Sequence, residues 1–370
     1  MNEQNILKKY TPILKPYAVE PNFVEEFGKV AKIYSSKGTF ALKRMDPHQG
    51  ADFTRHIRML YQKGYNRIVP IYPAVDGRYA IFYDNKLFYL MPWLPNEERE
   101  NYSRKHQQMF RELARLHILS SKEVKIEKED RQEHFENTQL DIEKEQEFLN
   151  GFIELCENKE YMSPFELMFC LYYHDIRQAL IYSETKLKEW YEETKEDEKA
   201  RVSIIHGKLS SEHFLYDDRG YGYFTNFEKA RYGTASHDLL PFLSRSLKTG
   251  PKQNDECIEW LYTYFKHNPL KYDEMLLFLS YLAHPGPVIR VCEKYMKANK
   301  KDINERKYVQ KLLKQYWLLK NTEYVVMRVD EIERQKKHSR MLRNKQRPRI
   351  KKLGSIIIGY YNCHHFFSCS

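Results

Sequence analysis

Long apolar runs are missing from this sequence of 370 residues. The segment EMLLFLSYLA, at residues 274 to 283, is much shorter than the ~18 apolar residues that cross a bilayer as a helix. The first residues, MNEQNILKKY, contain no apolar core of the kind found in secretory signal peptides. We therefore expect no transmembrane segment and no export through a secretion signal.

Glycine and cysteine are scarce, with 14 glycines and 6 cysteines in the whole chain. Gly28 stands alone before the first predicted hairpin, so the sequence lacks a glycine cluster whose backbone N–H groups would cradle phosphates. The cysteines are scattered, which favours free thiols over disulfides in a chain of this length. The spacing within Cys363, His364, His365 and Cys369 matches no common zinc pattern, so we expect no metal site there.

The net charge of +10 is concentrated near the end of the sequence. The segment KKHSRMLRNKQRPRIKK, at residues 336 to 352, contains nine Lys and Arg and no acidic residue, so the remainder carries only about +1. A polyanion-binding tail is therefore one alternative function. No aromatic residues alternate with these charges as they do in proteins that bind single strands, so we expect no specific nucleic-acid partner.

The hydrophobic pattern divides the sequence into a small β-rich region and a larger helical one. With 42% hydrophobic residues, the chain has enough apolar surface for a sizeable core. In residues 1 to 95, alternating apolar positions predict strands and one helical period predicts a helix. The expected elements are strands over 29–36, 39–45, 67–75, 79–85 and 86–94, with a tight turn at Asp84-Asn85, and a helix over 51–64.

From residue 103 the apolar period becomes that of helices. We expect a mainly helical region over residues 96 to 335, joined by a hinge near residues 91 to 98, with one β-hairpin over 206 to 228. Residues 121 to 150 are rich in charge, which is typical of a solvated helix or an insertion. The basic segment 336 to 370 is expected to be a disordered tail. The fold class is therefore α+β with two lobes.

Four short motifs follow one another in a fixed order: Leu113-Ala114-Arg115-Leu116-His117, His206-Gly207, Asn226-Phe227 and Asp238-Leu239. Together they resemble the aminoglycoside phosphotransferase and choline kinase branch of the protein kinase-like superfamily. Within that branch, the wording HGKLSSEHFLYD and NFE is most similar to bacterial spore-coat proteins of the CotS type, in the YsxE-like group. The resemblance covers about residues 20 to 330 and implies a kinase-like fold.

The resemblance also shows which catalytic groups are replaced. Lys208 stands where the family has its catalytic Asp, His213 where it has a metal-binding Asn, and Asn226 where it has a metal-binding Asp. Phosphoryl transfer depends on metal ions and on a base beside the nucleophile. Mg²⁺ prefers oxygen ligands, and a charged lysine repels it. We therefore expect no metal and no cofactor, and we assign no catalytic residue.

Other residues could still form a nucleotide cleft or a partial site. Lys43 matches the phosphate-contacting strand lysine, although an ordinary exposed strand lysine is an equally good interpretation. The helix over 51–64 contains no glutamate to orient it. Glu228 and Glu212 could hold one metal ion, but the simpler interpretation is that they are solvated or paired with Lys208 and Lys229. Lys43, Lys208 and Glu228 are thus candidates for a vestigial nucleotide site.

Five further motif residues are expected to have structural roles: His117, His206, Gly207, Phe227 and Asp238. The resemblance implies that His206 and Asp238 brace the loop that carries catalysis in active relatives. A helix cap before LLPFL is the alternative for Asp238, because a carboxylate accepts bonds from free N–H groups at a helix start.

The resemblance implies a catalytically silent, pseudokinase-like protein of the bacterial spore coat. Such a protein would be made in the mother-cell cytoplasm, be assembled on the forespore surface, and bind other coat or coat-morphogenetic proteins. The main alternative is an ATP- and Mg²⁺-dependent small-molecule phosphotransferase with a remodelled metal site. Lys208 would then stabilise the transferred phosphate and Glu228 would hold one metal ion.

Overall fold

The protein has two lobes, an antiparallel β-sheet region followed by a mostly helical region. The computed structural model describes residues 3–47, 50–96, 102–248, 250–299 and 304–361. The expected α+β, two-lobed fold class is confirmed. The boundary expected at residue 95 stays a prediction, since residues 97 to 101 lie outside the described part.

A five-stranded antiparallel sheet forms the N-lobe, with the strand order β1-β2-β3-β5-β4. Its register sets Ala41 opposite Met91 and Lys43 opposite Tyr89, on the two strands that form the wall of the cleft. The elements of this lobe are α1 (Glu3–Leu14), β1 (Pro21–Phe27), β2 (Val30–Ser35), β3 (Gly38–Met45), α2 (Gly50–Gln62), β4 (Ile81–Tyr83) and β5 (Lys86–Pro92).

Both faces of this sheet are covered. On one face, Leu42 and Leu90 pack with Ile13 of α1 in an apolar cluster. On the other face, Ala41 and Met45 belong to a larger core that continues into the C-lobe. Because successive strand residues point to opposite faces, Lys43 shares the face of Ala41 and Met45, as the alternation predicts. The sheet therefore directs Lys43 towards the C-lobe.

The strand expected over residues 67 to 75 is wrong. This segment forms only isolated bridges, Ile68 with Phe224 and Tyr72 with Leu90. Pro70 and Pro73 lack the N–H groups that a central strand would donate, which explains the irregular backbone. The expected turn at Asp84-Asn85 is present, and both residues have positive φ angles, 48° and 53°, as a two-residue hairpin turn requires.

The C-lobe is built from eight described helices around two small sheets. The order β10-β7-β6 forms one sheet, and β8-β9 form the hairpin that carries the motif loops. Its elements are α3 (Tyr102–Ser120), β6 (Lys122–Lys125), α4 (Lys128–Glu157), α5 (Pro164–Thr194), β7 (Lys199–Ile205), β8 (Phe214–Tyr216), β9 (Gly222–Phe224), β10 (Arg231–Gly233), α6 (Ser236–Ser246), α7 (Asp255–His267), α8 (Tyr272–Ala283), α9 (Gly286–Lys297) and α10 (Glu305–Tyr361).

One described stretch, Tyr272–Lys297, has the length and composition of a membrane-spanning helix. It consists of the two helices α8 and α9, which are separated at His284 and Pro285. Of its most apolar window, 67% is buried inside the protein, and core helices of globular proteins pass the same test. The stretch is therefore weak support for a membrane span.

The helix α10 crosses residue 336 without a break and continues to Tyr361. The tail boundary expected at residue 336 thus does not coincide with the end of a helix, and disorder of the whole tail stays a prediction. The candidate cluster of Cys363, His364, His365 and Cys369 lies outside the described residues. The four cysteines that the structure describes, Cys156, Cys170, Cys257 and Cys292, are free thiols.

Candidate functional site

A cleft of about 700 Å³ lies between the sheet of the N-lobe and the motif loops of the C-lobe. Val30, Ala41, Met91 and Leu215 contribute apolar surface to its walls. Its polar lining brings together residues that are far apart in the sequence, namely Lys29, Lys43, Arg44, Asn96, Lys208, Glu212, His213, Thr225, Asn226, Glu228 and Lys229. The three candidate nucleotide-site residues therefore line one cleft.

A buried ion pair joins the two lobes at the inner end of this cleft. Lys43 Nζ lies 2.7 Å from Glu228 Oε1, and the two side chains are only 11% and 9% exposed. The hydroxyl of Tyr89, which is buried on β5, donates a hydrogen bond of 2.9 Å to the same carboxylate oxygen. Glu228 therefore pairs with Lys43, and not with Lys208 or Lys229 as the sequence suggested.

Asn226 and His213 extend this contact into a continuous hydrogen-bond chain. The ammonium of Lys43 donates to Asn226 Oδ1, and Asn226 Nδ2 lies 2.7 Å from His213 Nε2. His213 Nδ1 lies 2.8 Å from the carbonyl oxygen of Lys208, which can only accept. His213 must therefore carry its proton on Nδ1 and accept from Asn226 on Nε2. Each member of the chain has a compatible donor or acceptor.

The charges at the site agree with this arrangement. Burial lowers the pKa of His213 to about 4, so its imidazole is neutral at pH 7 and suits the inferred tautomer. Burial also lowers the pKa of Lys43, although the attraction of Glu228 opposes that effect. The hydrogen-bond chain thus contains a neutral imidazole, a neutral amide and one internally compensated ion pair.

The side chains present do not fit a catalytic Mg²⁺ ion. Glu228 Oε1 already accepts from Lys43 and Tyr89, and Asn226 Oδ1 accepts from Lys43. His213 Nε2 accepts from the Asn226 amide, and Glu212 is exposed at the cleft rim. Among the described residues, no group of three or more His, Cys, Asp or Glu side chains is arranged to hold a metal. We therefore derive no chemical step through a metal ion.

A second cluster fixes the backbone of the His206-Gly207 loop. Asp238 Oδ2 accepts from the backbone N–H of His206 at 2.6 Å, and Oδ1 accepts from that of Gly207 at 2.8 Å. His117 Nε2 lies 3.2 Å from Asp238 Oδ2, with both side chains fully buried. Asp238 lies in the first turn of α6, but it caps the loop instead of its own helix. These bonds are compatible with the bracing role that the resemblance implied, which stays a prediction.

The hydrogen-bond partners also fix the ionisation of the cluster. A carboxylate oxygen can only accept, so His117 donates from Nε2 to Asp238, while Tyr264 Oη accepts from Asn268 at 2.7 Å and lies 2.7 Å from His117 Nδ1. Burial tends to raise the pKa of Asp238, but the bonds from His117 and His206 outweigh it, so this pKa lies below its ordinary value. Asp238 is therefore a carboxylate at neutral pH.

Gly207 and Asn226 satisfy backbone requirements of the same loops. Gly207 has a φ of +73°, and a Cβ added there would collide with the carbonyl oxygen of Lys229. Asn226 also lies in the left-handed region, with a φ of 72°. The ring of Phe227 is buried and packs 4.9 Å from the ring of His206, centroid to centroid. These residues therefore help to determine the shape of the loops.

Sequence reasoning missed Tyr89, the second partner of Glu228. Its position opposite Lys43 on the neighbouring strand follows only from the pairing register of β3 and β5. A tyrosine in a strand of otherwise apolar residues, KLFYLMPWL, was the available signal, since a buried hydroxyl needs a hydrogen-bond partner.

Comparison with known proteins identifies the fold. Neither a family model nor a curated protein sequence matches the chain. An aminoglycoside phosphotransferase from Alicyclobacillus acidocaldarius superposes on 87% of this chain and 96% of its own, with a TM-score of 0.64 and 13% identity. A spectinomycin phosphotransferase in complex with ADP and spectinomycin covers 88% of this chain and 99% of its own, with a TM-score of 0.50 and 10% identity.

The AMP-bound complex of a spectinomycin phosphotransferase gives a similar result, covering 87% of this chain and 98% of its own, with a TM-score of 0.51 and 11% identity. These similarities establish a protein kinase-like fold of the phosphotransferase type. At such low identity they establish the fold alone.

Proposed function

We propose that this protein is a catalytically silent, kinase-like component of the bacterial spore coat that acts by binding other coat or coat-morphogenetic proteins. One observation carries the catalytic part of the proposal. The hydrogen-bond chain from the Lys208 carbonyl through His213 and Asn226 to Lys43 and Glu228 engages the side chains at the former metal-binding positions with one another, and no group of three or more metal-ligating His, Cys, Asp or Glu side chains is present among the described residues.

The position of the missing catalytic base supports the same conclusion. Lys208 is exposed at the cleft, and a charged ammonium has three donors and no acceptor for the proton of an attacking hydroxyl. Phosphoryl transfer depends almost entirely on positioning and on charge neutralisation by metal ions. Because an amide and an imidazole bonded to each other occupy the former metal-binding positions and a lysine replaces the base, the cleft keeps the shape of a phosphotransferase site without its chemistry.

An assay of Mg²⁺-dependent ATP hydrolysis tests the expected lack of catalytic activity. We expect the wild-type protein and the Lys208→Ala variant to give the same background rate, because neither supplies a base or a metal site. Lys208 is exposed, so the variant should remain folded, and its thermal midpoint provides the control. Hydrolysis by the wild type that requires Mg²⁺ and falls in the variant would establish the phosphotransferase alternative.

The spore-coat setting rests on the similarity of HGKLSSEHFLYD and NFE to spore-coat proteins of the CotS type. A fluorescent fusion expressed in a sporulating bacterium tests it. We expect the fusion to collect on the forespore surface, and a fusion restricted to residues 1 to 335 to behave the same way if the basic tail plays no part. A signal that stays diffuse in the mother cell throughout sporulation would reject the coat assignment.

The second candidate function is a divergent small-molecule phosphotransferase, with ATP and Mg²⁺ as cofactors. It is favoured by the open cleft of about 700 Å³ with Lys43 at its inner end, and by phosphotransferases among the structural neighbours. The double variant Lys208→Asp/Asn226→Asp separates the candidates. A remodelled enzyme should change its rate when these carboxylates return, whereas a scaffold should gain no activity without further repair.

A further inference from the structure

Three lysines from three different loops line the cleft around the hydrogen-bond chain. Lys29 precedes β2, Lys208 follows His206-Gly207, and Lys229 ends the short 3₁₀ turn that begins at Phe227. All three side chains are exposed. Among the described residues, neither Lys208 nor Lys229 has an acidic partner, and Lys29 has only a distant contact of 3.9 Å with Asp46. Their charges are therefore available to a ligand.

The lining of the cleft has an excess of positive charge. Lys29, Lys208 and Lys229 line the same cleft as Lys43. Glu228 is already paired with Lys43, so Glu212 is the one other carboxylate in the described lining of the cleft. The three lysines and the exposed Arg44, against one exposed glutamate, give the cleft a local excess of positive charge. Such a concave, cationic surface attracts anions.

The opposite wall offers little to recognise a nucleobase. It runs over residues 92 to 96, where Pro92 and Pro95 have no backbone N–H to donate. The N–H of Trp93 already donates to the carbonyl of Thr39 at 3.1 Å. A base in this cleft would find apolar surface from Val30 and Met91, and the backbone donors on this wall are limited to the N–H groups of Leu94 and Asn96. The cleft therefore offers more binding groups to the phosphates of a ligand than to its base.

From these observations we infer that the cleft binds a phosphate oligoanion directly through Lys208, Lys229 and Lys29, without a divalent metal ion and with little selection for a base. This inference rests on the proposed function, because a working metal site would change the charge balance. The ligand is either a nucleotide or an inorganic polyphosphate, which share this chemistry. Lys43 stays paired with Glu228. It adds to the positive electrostatic potential of the cleft but does not bind the ligand directly.

Calorimetric titration of the full-length protein in EDTA tests the inference. The probes are inorganic tripolyphosphate, ATP and GTP. We expect all three to bind, with dissociation constants within about fivefold of one another, since less than about 1 kcal/mol separates ligands that share their recognised groups. The variant Lys208→Ala/Lys229→Ala should bind each probe about tenfold or more weakly, because each charge-assisted bond contributes substantially.

The matched control is Lys63→Ala, which removes an exposed lysine outside the cleft and should leave all three affinities unchanged. Absence of binding in EDTA, binding that appears only with Mg²⁺, or equal affinity in the double variant would overturn the inference. Preference for ATP over GTP of more than about tenfold would overturn its claim on base selection. The two failures are distinguishable. Mg²⁺-dependent ATP hydrolysis would reject the proposed function, whereas absence of binding in EDTA would reject this inference alone.

Discussion

Replacing Glu228 with leucine should lower the free energy of unfolding by about 3–5 kcal/mol, as expected when one partner of a buried ion pair is removed. The remaining Lys43 ammonium, only 11% exposed, would be held away from water with no counter-charge. The hydroxyl of Tyr89 would also lose its acceptor. Urea unfolding followed by circular dichroism measures the loss.

The double variant Lys43→Met/Glu228→Leu should lose much less than the Glu228→Leu variant. Removing both charges leaves no uncompensated ion, and replacement of a buried pair by apolar residues of similar size is often close to neutral. The Lys43→Met variant completes the cycle, which isolates the coupling between the two side chains. A double variant as unstable as the sum of the two single variants would contradict a direct pair.

An exposed pair in the same lobe gives the matched control. Lys86 Nζ lies 2.9 Å from Asp46 Oδ1, almost the same distance, but these side chains are 44% and 48% exposed. Water screens such a pair, so the Lys86→Met variant should have a free energy of unfolding close to that of the wild type. Equal losses of unfolding free energy at the two sites would show that burial does not determine the strength of the pair. The contact between Lys43 and Glu228 would then have no special role in joining the lobes.

The sequence predicted local elements of the fold well and long-range contacts poorly. Alternating apolar residues located β2 and β3, and helical spacing located α2 and α3, because both patterns are set by neighbours in the chain. The segment over 67 to 75 was misjudged because its apolar run outweighed two prolines. The helix α1 was missed, although Ile6, Tyr10 and Ile13 lie at helical spacing.

The same distinction holds at the candidate site. The positions of Lys208, His213 and Asn226 in one loop system followed from the order of the motifs. The partner of Glu228 did not, since the sequence placed it near Lys208 and Lys229, its neighbours in the motif loops. Only the packing of the sheet against those loops brings Lys43 and Tyr89 to Glu228. Contacts of this kind depend on tertiary structure, which no local pattern records.

Asp238→Ala is expected to cost about 3–5 kcal/mol of unfolding free energy, the range typical of a buried charged network that loses one member. The backbone N–H groups of His206 and Gly207 and the ring of His117 would all lose their acceptor inside the protein. Asp238→Asn keeps the shape, but its amide has one acceptor oxygen where the carboxylate has two. We therefore expect a smaller but measurable loss, which keeps the test usable if the alanine variant does not fold.

Acid titration gives an independent measure of the same carboxylate. The pKa of Asp238 lies below its ordinary value in the folded protein, so the folded state binds this proton less readily than the unfolded state does. Its contribution is complete above about pH 4, near the pKa of an unperturbed aspartate, and is lost as the pH falls through the lower folded-state pKa. Between pH 4 and pH 2 the stability of Asp238→Asn should therefore fall less steeply than that of the wild type.

Asp218→Ala provides the control, because this aspartate is exposed in the turn between β8 and β9 and should leave both measurements unchanged. An Asp238→Asn variant as stable as the wild type, with the same acid profile, would show that the carboxylate does not brace the loop. If substitution of Asp238 greatly lowers the free energy of unfolding while Lys208→Ala leaves it unchanged, the two residues have separate roles within one loop. The brace would be required for folding, while the position of the former catalytic base would be free to change, as expected of a kinase-like scaffold.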